Sequence, residues 1–199
     1  MSSFDHNRVG IFEGDFNPIH NGQVEAAKAF MEQMKLDYIF IVPRHIPDGN
    51  EAQRLKMCEL AFDGVDGVLI SDEEIKGQGN ITLCDTVRAR ANDNTRVFVL
   101  LGSDEVLNFD KKPDFDKMLR LCYPVYARRE NDAIIEKRIV ETLGRYYKEY
   151  GVMFRRILVE TQEISSTDLR RAIARGEDAS HLVPTSVWQF IKENELYTD

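Results

Sequence analysis

The chain has 199 residues, of which 43% are hydrophobic and 30% charged, and it carries a net charge of −8. That is enough chain for one soluble α/β domain with a substantial core. The acidic balance argues against broad nucleic-acid binding, which needs a basic face to neutralise phosphates. No apolar run of about 18 residues suggests a membrane span, and the Met-Ser-Ser-Phe-Asp-His-Asn-Arg start has no apolar stretch of the secretory kind.

In chain order, Val9 to Phe12 reads as a short buried strand, broken by Gly14, Asn17 and Pro18. A helix is expected over residues 21–35, with Val24, Ala27, Met31 and Met34 on one face. Tyr38 to Val42 is a buried strand ended by Pro43, and the prolines and glycine of 43–50 make a loop. A second helix over 51–63 aligns Leu55, Cys58 and Phe62. A strand at 68–70, a turn at Gly77–Asn80 and a helix over 81–91 follow. Val97 to Leu101 is the clearest central strand and stops at Gly102-Ser103-Asp104. A strand at 123–127 precedes a long helix over 132–150, with Ile135, Ile139, Leu143, Tyr146 and Tyr150 inward. Ile157 to Val159 is the last strand, and helices over 166–175 and 184–195 close the chain. Near-continuous apolar strands alternating with helices imply a Rossmann-like, doubly wound parallel sheet covered on both faces, in one domain over 1–199. Ligands in such sheets bind beyond the carboxyl ends of the strands, at the point where strand order reverses.

Three stretches carry chemistry. Residues 10–23, Gly-Ile-Phe-Glu-Gly-Asp-Phe-Asn-Pro-Ile-His-Asn-Gly-Gln, run from strand through a small-residue turn to a helix start. Unpaired backbone N–H groups and the helix dipole favour an anion there, and His20 adds a side-chain donor. Ile164-Ser165-Ser166-Thr167-Asp168-Leu169-Arg170 is a second helix start, with Ser165 or Ser166 able to cap and Arg170 one turn on. Leu101-Gly102-Ser103-Asp104 places a carboxylate beyond a strand's end, where it can accept from a ribose hydroxyl or position a hydrated cation. Taken alone, the second stretch is an ordinary capped helix and Asp104 reads equally well as an N-cap. Arg128-Arg129, Arg155-Arg156 and Arg170-Arg171 are the places where positive charge is gathered.

The first stretch resembles the nucleotidyltransferase signature G-x-F-x-P-x-H-x-G-H, in the form F-G-G-T-F-D-P-x-H-x-G-H of the bacterial nicotinate-nucleotide adenylyltransferases. The second resembles their I-S-S-T-x-I-R, and Gly102, Asp104, Leu107 and Phe109 resemble their G-x-D-x-L-x-x-F. Weaker matches lie between. Gln53-Arg54 with Met57 resembles an R-x-x-M-x-x-L-A helix, Thr82 and Thr86 a Y-T-x-x-T-L segment, and Arg128-Arg129 an R-R pair. Leu182-Val183-Pro184 onward resembles the closing L-x-P-x-x-V. Together they span nearly the whole chain in order.

The resemblance implies adenylyl transfer from ATP to nicotinate mononucleotide in NAD biosynthesis, with Mg²⁺ accompanying ATP. It implies ATP contacts from Gly14, Asp15, Phe16, His20, Gln23, Gly102, Asp104, Ile164, Ser165, Ser166, Thr167 and Arg170. His20, Gln23 and Arg170 are then the catalytic set, and the helices over 166–195 complete the ATP site. Acceptor contacts are expected from Arg44, His45, Thr82, Thr86, Lys112 and Arg129. No dedicated protein metal site is expected. Small-molecule partners are expected rather than nucleic acid or a membrane, and the sequence leaves a homo-oligomer open. Cys58, Cys84 and Cys122 are odd in number and form no C-x-x-C pair, which points to a reducing cytoplasm.

Four departures from the motif bear on that reading. Gln23 stands where the second histidine of H-x-G-H falls, Glu13 where a glycine falls, and Lys112 where a tryptophan of the acceptor pocket falls. The P-P-H-K/R loop is here Ile46-Pro47-Asp48-Gly49-Asn50, without its basic residue, so that Arg44 or His45 is left to supply the charge. A neutral amide at position 23 in place of a charge-assisted donor is expected to cost about 1–3 kcal/mol, roughly ten- to a hundredfold in rate. Lys112 reads either as a solvated loop lysine or as the mark of a changed acceptor, such as nicotinamide mononucleotide or another phosphorylated molecule. Gln23 and Glu13 together keep open a nucleotide-binding homologue with weakened catalysis. His20, at a helix mouth, is expected outside the core, so that His20→Ala would reduce turnover far more than stability. Trp188 is expected in helix packing.

Overall fold

The computed structural model describes residues 7–128, 133–159 and 165–198. Six strands form one fully parallel sheet: β1 (Asn7–Gly14), β2 (Tyr38–Pro43), β3 (Val68–Ile70), β4 (Thr95–Leu101), β5 (Cys122–Arg128) and β6 (Arg155–Leu158), in the order β3-β2-β1-β4-β5-β6. The chain winds outward from β1 on one side, returns to β4, and winds outward on the other. Strand order therefore reverses between β1 and β4.

Alternation along each strand builds two cores. Phe12, Ile39, Ile41, Phe98, Leu100, Val125 and Ile157 face one side, where they meet α1 (Asn21–Met34), α2 (Glu51–Ala61), α8 (Ser166–Ala174) and α9 (Thr185–Glu193). Ile11, Val42, Val97, Val99 and Leu101 face the other, against α4 (Leu83–Arg90), α5 (Ser103–Leu107), α6 (Phe115–Met118) and α7 (Ala133–Tyr150). Gly10 is required by packing: a Cβ there would lie 2.5 Å from Leu36 and 2.9 Å from Phe30, so α1 could not sit as close to β1.

Each expected strand and helix is present, with ends shifted by a few residues. The helix expected over 81–91 begins at Leu83 because Thr82 caps it, trading bonds with Asp85. A short helix, α3 (Glu73–Lys76), is an addition. On α2 the expected Cys58 and Phe62 are buried in the first core, while Leu55 is only half-buried. Arg54, Met57 and Cys58 are the buried residues of that helix, because Arg54 reaches beneath it to bond loop carbonyls. Tyr150, expected inward on α7, is 41% exposed, yet its ring still meets Phe115 edge-on at 5.1 Å. Trp188 packs at the margin of the first core, as expected.

Candidate active site

The site lies beyond the carboxyl ends of β1, β2 and β4, at the reversal of strand order, where open α/β sheets bind ligands. A cleft of about 540 Å³ is lined by the β1–α1 loop, by Gly102, Ser103, Asp104 and Glu105 at the start of α5, and by Ser166, Thr167 and Arg170 of α8. A second cavity of about 250 Å³ adjoins it, lined by His45, Glu74, Thr82, Leu83, Lys112 and others. Glu13 and Arg44 line both.

The β1–α1 loop is held from several directions. Phe16 is fully buried at φ +46°, a left-handed conformation rare for an aromatic residue, and its ring meets Phe12 edge-on at 5.3 Å. A Cβ on Gly14 would lie 3.0 Å from that ring, so the glycine lets Phe16 fold back over the strand end. Arg170 donates to Asn17 O at 2.6 Å, Ser166 Oγ to Pro18 O at 3.0 Å, and the Tyr197 hydroxyl to Asn17 Oδ1 at 2.6 Å. The C-terminal helices thus clamp the loop that carries the first motif.

His20 is the N-cap of α1. Its Nδ1 accepts from Gln23 N at 3.3 Å, and Gln23 Oε1 accepts from His20 N at 3.3 Å, a reciprocal capping box. An imidazole that accepts at Nδ1 carries its proton on Nε2. With Nδ1 accepting in the cap, the donor nitrogen of the ring is Nε2. His20 is also only 3% exposed, which corrects the expectation that it lies outside the core. Gln23 lines the cleft, and with Oε1 in the cap its Nε2 is the group left to face a ligand.

The α8 residues divide their work. Ser165 Oγ accepts from Thr167 N and Asp168 N, so its hydroxyl serves the helix cap. Ser166 is tied to Pro18, leaving Thr167 and Arg170 as the side chains that reach the cleft with polar groups, bonded to each other at 3.3 Å. Asp15, Gly102 and the exposed Asp104 line the same cleft. In the smaller cavity, Arg44, His45, Thr82 and Lys112 come together, while Thr86 is fully buried in the core and not on its wall. Ile164 and Arg129 fall outside the described residues.

Two of the departures meet. Lys112 Nζ lies 2.6 Å from Glu13 Oε2, and its side chain is only 20% exposed, so it is not a solvated loop lysine. Arg44 completes the bridge, at 3.0 Å from Glu13, 3.0 Å from Glu105 and 2.7 Å from Asp15. Burial alone would raise the Glu13 carboxyl, but the Lys112 and Arg44 charges and their hydrogen bonds hold it below the ordinary range. Burial works against the Arg44 cation as well, and Glu13, Asp15 and Glu105 more than offset it. Glu105, whose Oε2 accepts from Gly102 N at 2.9 Å, is raised chiefly by burial. Arg44, one of the two residues expected to supply the charge missing from the loop, is committed to carboxylates. His45 sits aside, 3.3 Å from Glu51.

Sequence reasoning missed Arg54 as a site residue. It is fully buried and donates to Asp15 O at 2.8 Å and Arg44 O at 2.9 Å, tying the loops after β1 and β2 together. Its signal was a cation one turn from Met57 and Cys58 on the inward side of an amphipathic helix. Among the described residues, no group of three or more His, Cys, Asp or Glu side chains is arranged to hold a metal ion. A cation bound mainly through nucleotide phosphates, with Asp104 and Asp15 nearby, fits this donor set, whereas a protein-built cage does not. No described helix is long and apolar enough to cross a membrane.

The cytidylyltransferase-like family model matches residues 11–172. A Clostridium botulinum (strain Eklund 17B / Type B) protein named probable nicotinate-nucleotide adenylyltransferase is 30% identical over 96% of this chain and 98% of its own length. A Thermoanaerobacter protein of the same name is also 30% identical, over 96% of this chain and 94% of its own length. The fold is shared with the Plasmodium falciparum nicotinic acid mononucleotide adenylyltransferase, solved in complex with NaAD, at a TM-score of 0.73 and 16% identity over 96% of this chain and 98% of that one. By the family model over most of its length and by relatives 30% identical along nearly the whole chain, this chain belongs to the cytidylyltransferase-like family of nucleotidyltransferases, among its nicotinate-nucleotide adenylyltransferases.

Proposed function

We propose that this enzyme transfers the adenylyl group of ATP to the phosphate of nicotinate mononucleotide, giving the dinucleotide and pyrophosphate, in NAD biosynthesis. The observation that carries the reading is the pair of adjoining cavities with a shared wall at Glu13 and Arg44, one of nucleotide size and one of ring size. The relatives bearing the adenylyltransferase name support the same acceptor. An oxygen of the acceptor phosphate attacks the α-phosphorus of ATP. The bond from that phosphorus to the bridging oxygen breaks, and pyrophosphate leaves in line. No protein nucleophile is required, so the protein's work is alignment and charge stabilisation.

His20 Nε2–H, the Gln23 amide, Thr167 and Arg170 are the donors for the ATP phosphates. Arg170 already holds Asn17 and Thr167, so it meets the anion from a fixed position. Mg²⁺ bound to the phosphates would supply further charge neutralisation, with Asp104 and Asp15 the carboxylates at hand. Leu83 and Cys84, the first residues of α4, line the smaller cavity and offer helix-start amides to an acceptor carboxylate. The free, buried Cys58, Cys84 and Cys122 suit a reducing cytoplasm.

The test is pyrophosphate release with ATP and Mg²⁺, with nicotinate mononucleotide, nicotinamide mononucleotide or no acceptor, for wild type and Gln23→His. Release that depends on nicotinate mononucleotide, and rises ten- to a hundredfold in Gln23→His, is expected. No acceptor-dependent release in either protein would overturn the reading.

A further inference from the structure

Glu74, on the short helix α3, matches no part of the motifs, and its position is unusual. It is 3% exposed and shares the wall of the smaller cavity with Glu13. Two carboxyl groups on one wall of a poorly solvated cavity resist ionising together, because two anions there would repel. Its Oε1 has no hydrogen-bond partner, although buried. A buried carboxyl oxygen without a partner, on the wall of a ring-sized cavity, is an open position for a ligand group.

We propose that Glu74 is a specificity-determining residue of the acceptor cavity: as the neutral acid beside Glu13 it admits an acceptor whose ring bears a carboxylate, and as an anion it excludes that acceptor while still accepting a bond from a ring carboxamide. This rests on the acceptor reading given above. The charged and titratable groups on the cavity wall with it are Glu13 at the end of β1, Arg44 and His45 after β2, Cys84 on α4, and Lys112 before α6. Glu73, its neighbour on α3, is engaged with Arg90 of α4 at 2.9 Å. Arg44 and Lys112 are both paired to Glu13, and their pull on Glu74 is outweighed by burial and by the Glu13 charge. Burial first, and then the Glu13 charge, push the Glu74 carboxyl up to about 8, which sets the pH at which the change occurs.

The experiment measures KM and kcat for nicotinate and nicotinamide mononucleotides from pH 6.5 to 9.5, in wild type and Glu74→Gln. Both acceptors carry the same phosphate, so its titration cancels in their ratio. In wild type, KM for the acid acceptor is expected to rise from about pH 8, approaching tenfold per pH unit, while KM for the amide stays level and kcat for both changes little. In Glu74→Gln the rise for the acid is lost. A KM ratio that moves identically with pH in both proteins, or stays flat in wild type, would overturn the proposal and leave the adenylyltransferase reading intact. Silence with both acceptors at every pH would overturn both.

Discussion

At His20, helix capping and the proposed phosphate contact fall on one side chain. Nδ1 closes the first turn of α1 and, in the proposed function, the same ring meets a phosphate, so replacement is expected to touch both stability and turnover. His20→Ala is expected to lower stability by about 1 kcal/mol, the ordinary value of a lost cap. His20→Asn restores a capping side chain without restoring the ring donor at Nε2. Thermal unfolding should therefore separate the two variants, while both lose most of their activity. If Asn kept wild-type turnover, His20 would be a structural cap only. The Glu13–Lys112 contact invites a different measurement. Each residue departs from the motif alone, yet they form a 2.6 Å ion pair with Arg44 behind it. In a double-mutant cycle of Glu13→Gly and Lys112→Trp, the pair should be coupled by about 1–3 kcal/mol, with the double variant losing less than the sum of the single ones. Additive losses would mean that Arg44 alone satisfies Glu13.

At the scale of elements, the site depends on loops tied from below. Arg54 belongs to α2 but spends its guanidinium on two backbone carbonyls of neighbouring loops, and Asp48 lies 3.9 Å from its Nε. Arg54→Leu keeps apolar bulk on α2 and leaves those carbonyls unpaired. It should cost about 1–3 kcal/mol for each orphaned group and raise KM for ATP more than it lowers kcat, measured by denaturant unfolding and steady-state kinetics. On the opposite face, Tyr146 of α7 donates to Val106 O at 2.9 Å and stacks on Phe154 at 5.4 Å, which fixes α5 and hence the Gly102–Glu105 wall. The periodicity of α7 marked Tyr146 as inward. It could not show that the hydroxyl would end against α5.

For the whole molecule, Glu74 contributes a pH dependence of stability opposite in sign to that of the carboxylates held low, such as Glu13 and Asp110. The folded Glu74 carboxyl titrates near 8, above the ordinary 4.5, so the folded state holds a proton that the unfolded chain has released across that window. The contribution is complete below about pH 4.5 and is lost as pH rises through about 8. Glu74→Gln should therefore gain in Tm relative to wild type as pH is raised from 5 to 9. Equal pH dependence in the two proteins would show that Glu74 ionises freely in the fold.

The succession of strands and helices, the doubly wound parallel sheet and the three motif stretches were legible along the chain; the order of strands within the sheet was not. Hydrophobic period and turn chemistry are local properties, and each motif sits on one strand end or one helix start. The reading stopped where contacts join distant segments. Glu13 and Lys112 are separated by 99 residues, and only the folded sheet brings them together. Arg54 and Glu74 look like surface charges in sequence, because burial of a charged side chain is decided by what packs around it. Acceptor chemistry lies in that same class of fact: it is set by which carboxylates and cations share one small cavity, and no spacing in the chain encodes that.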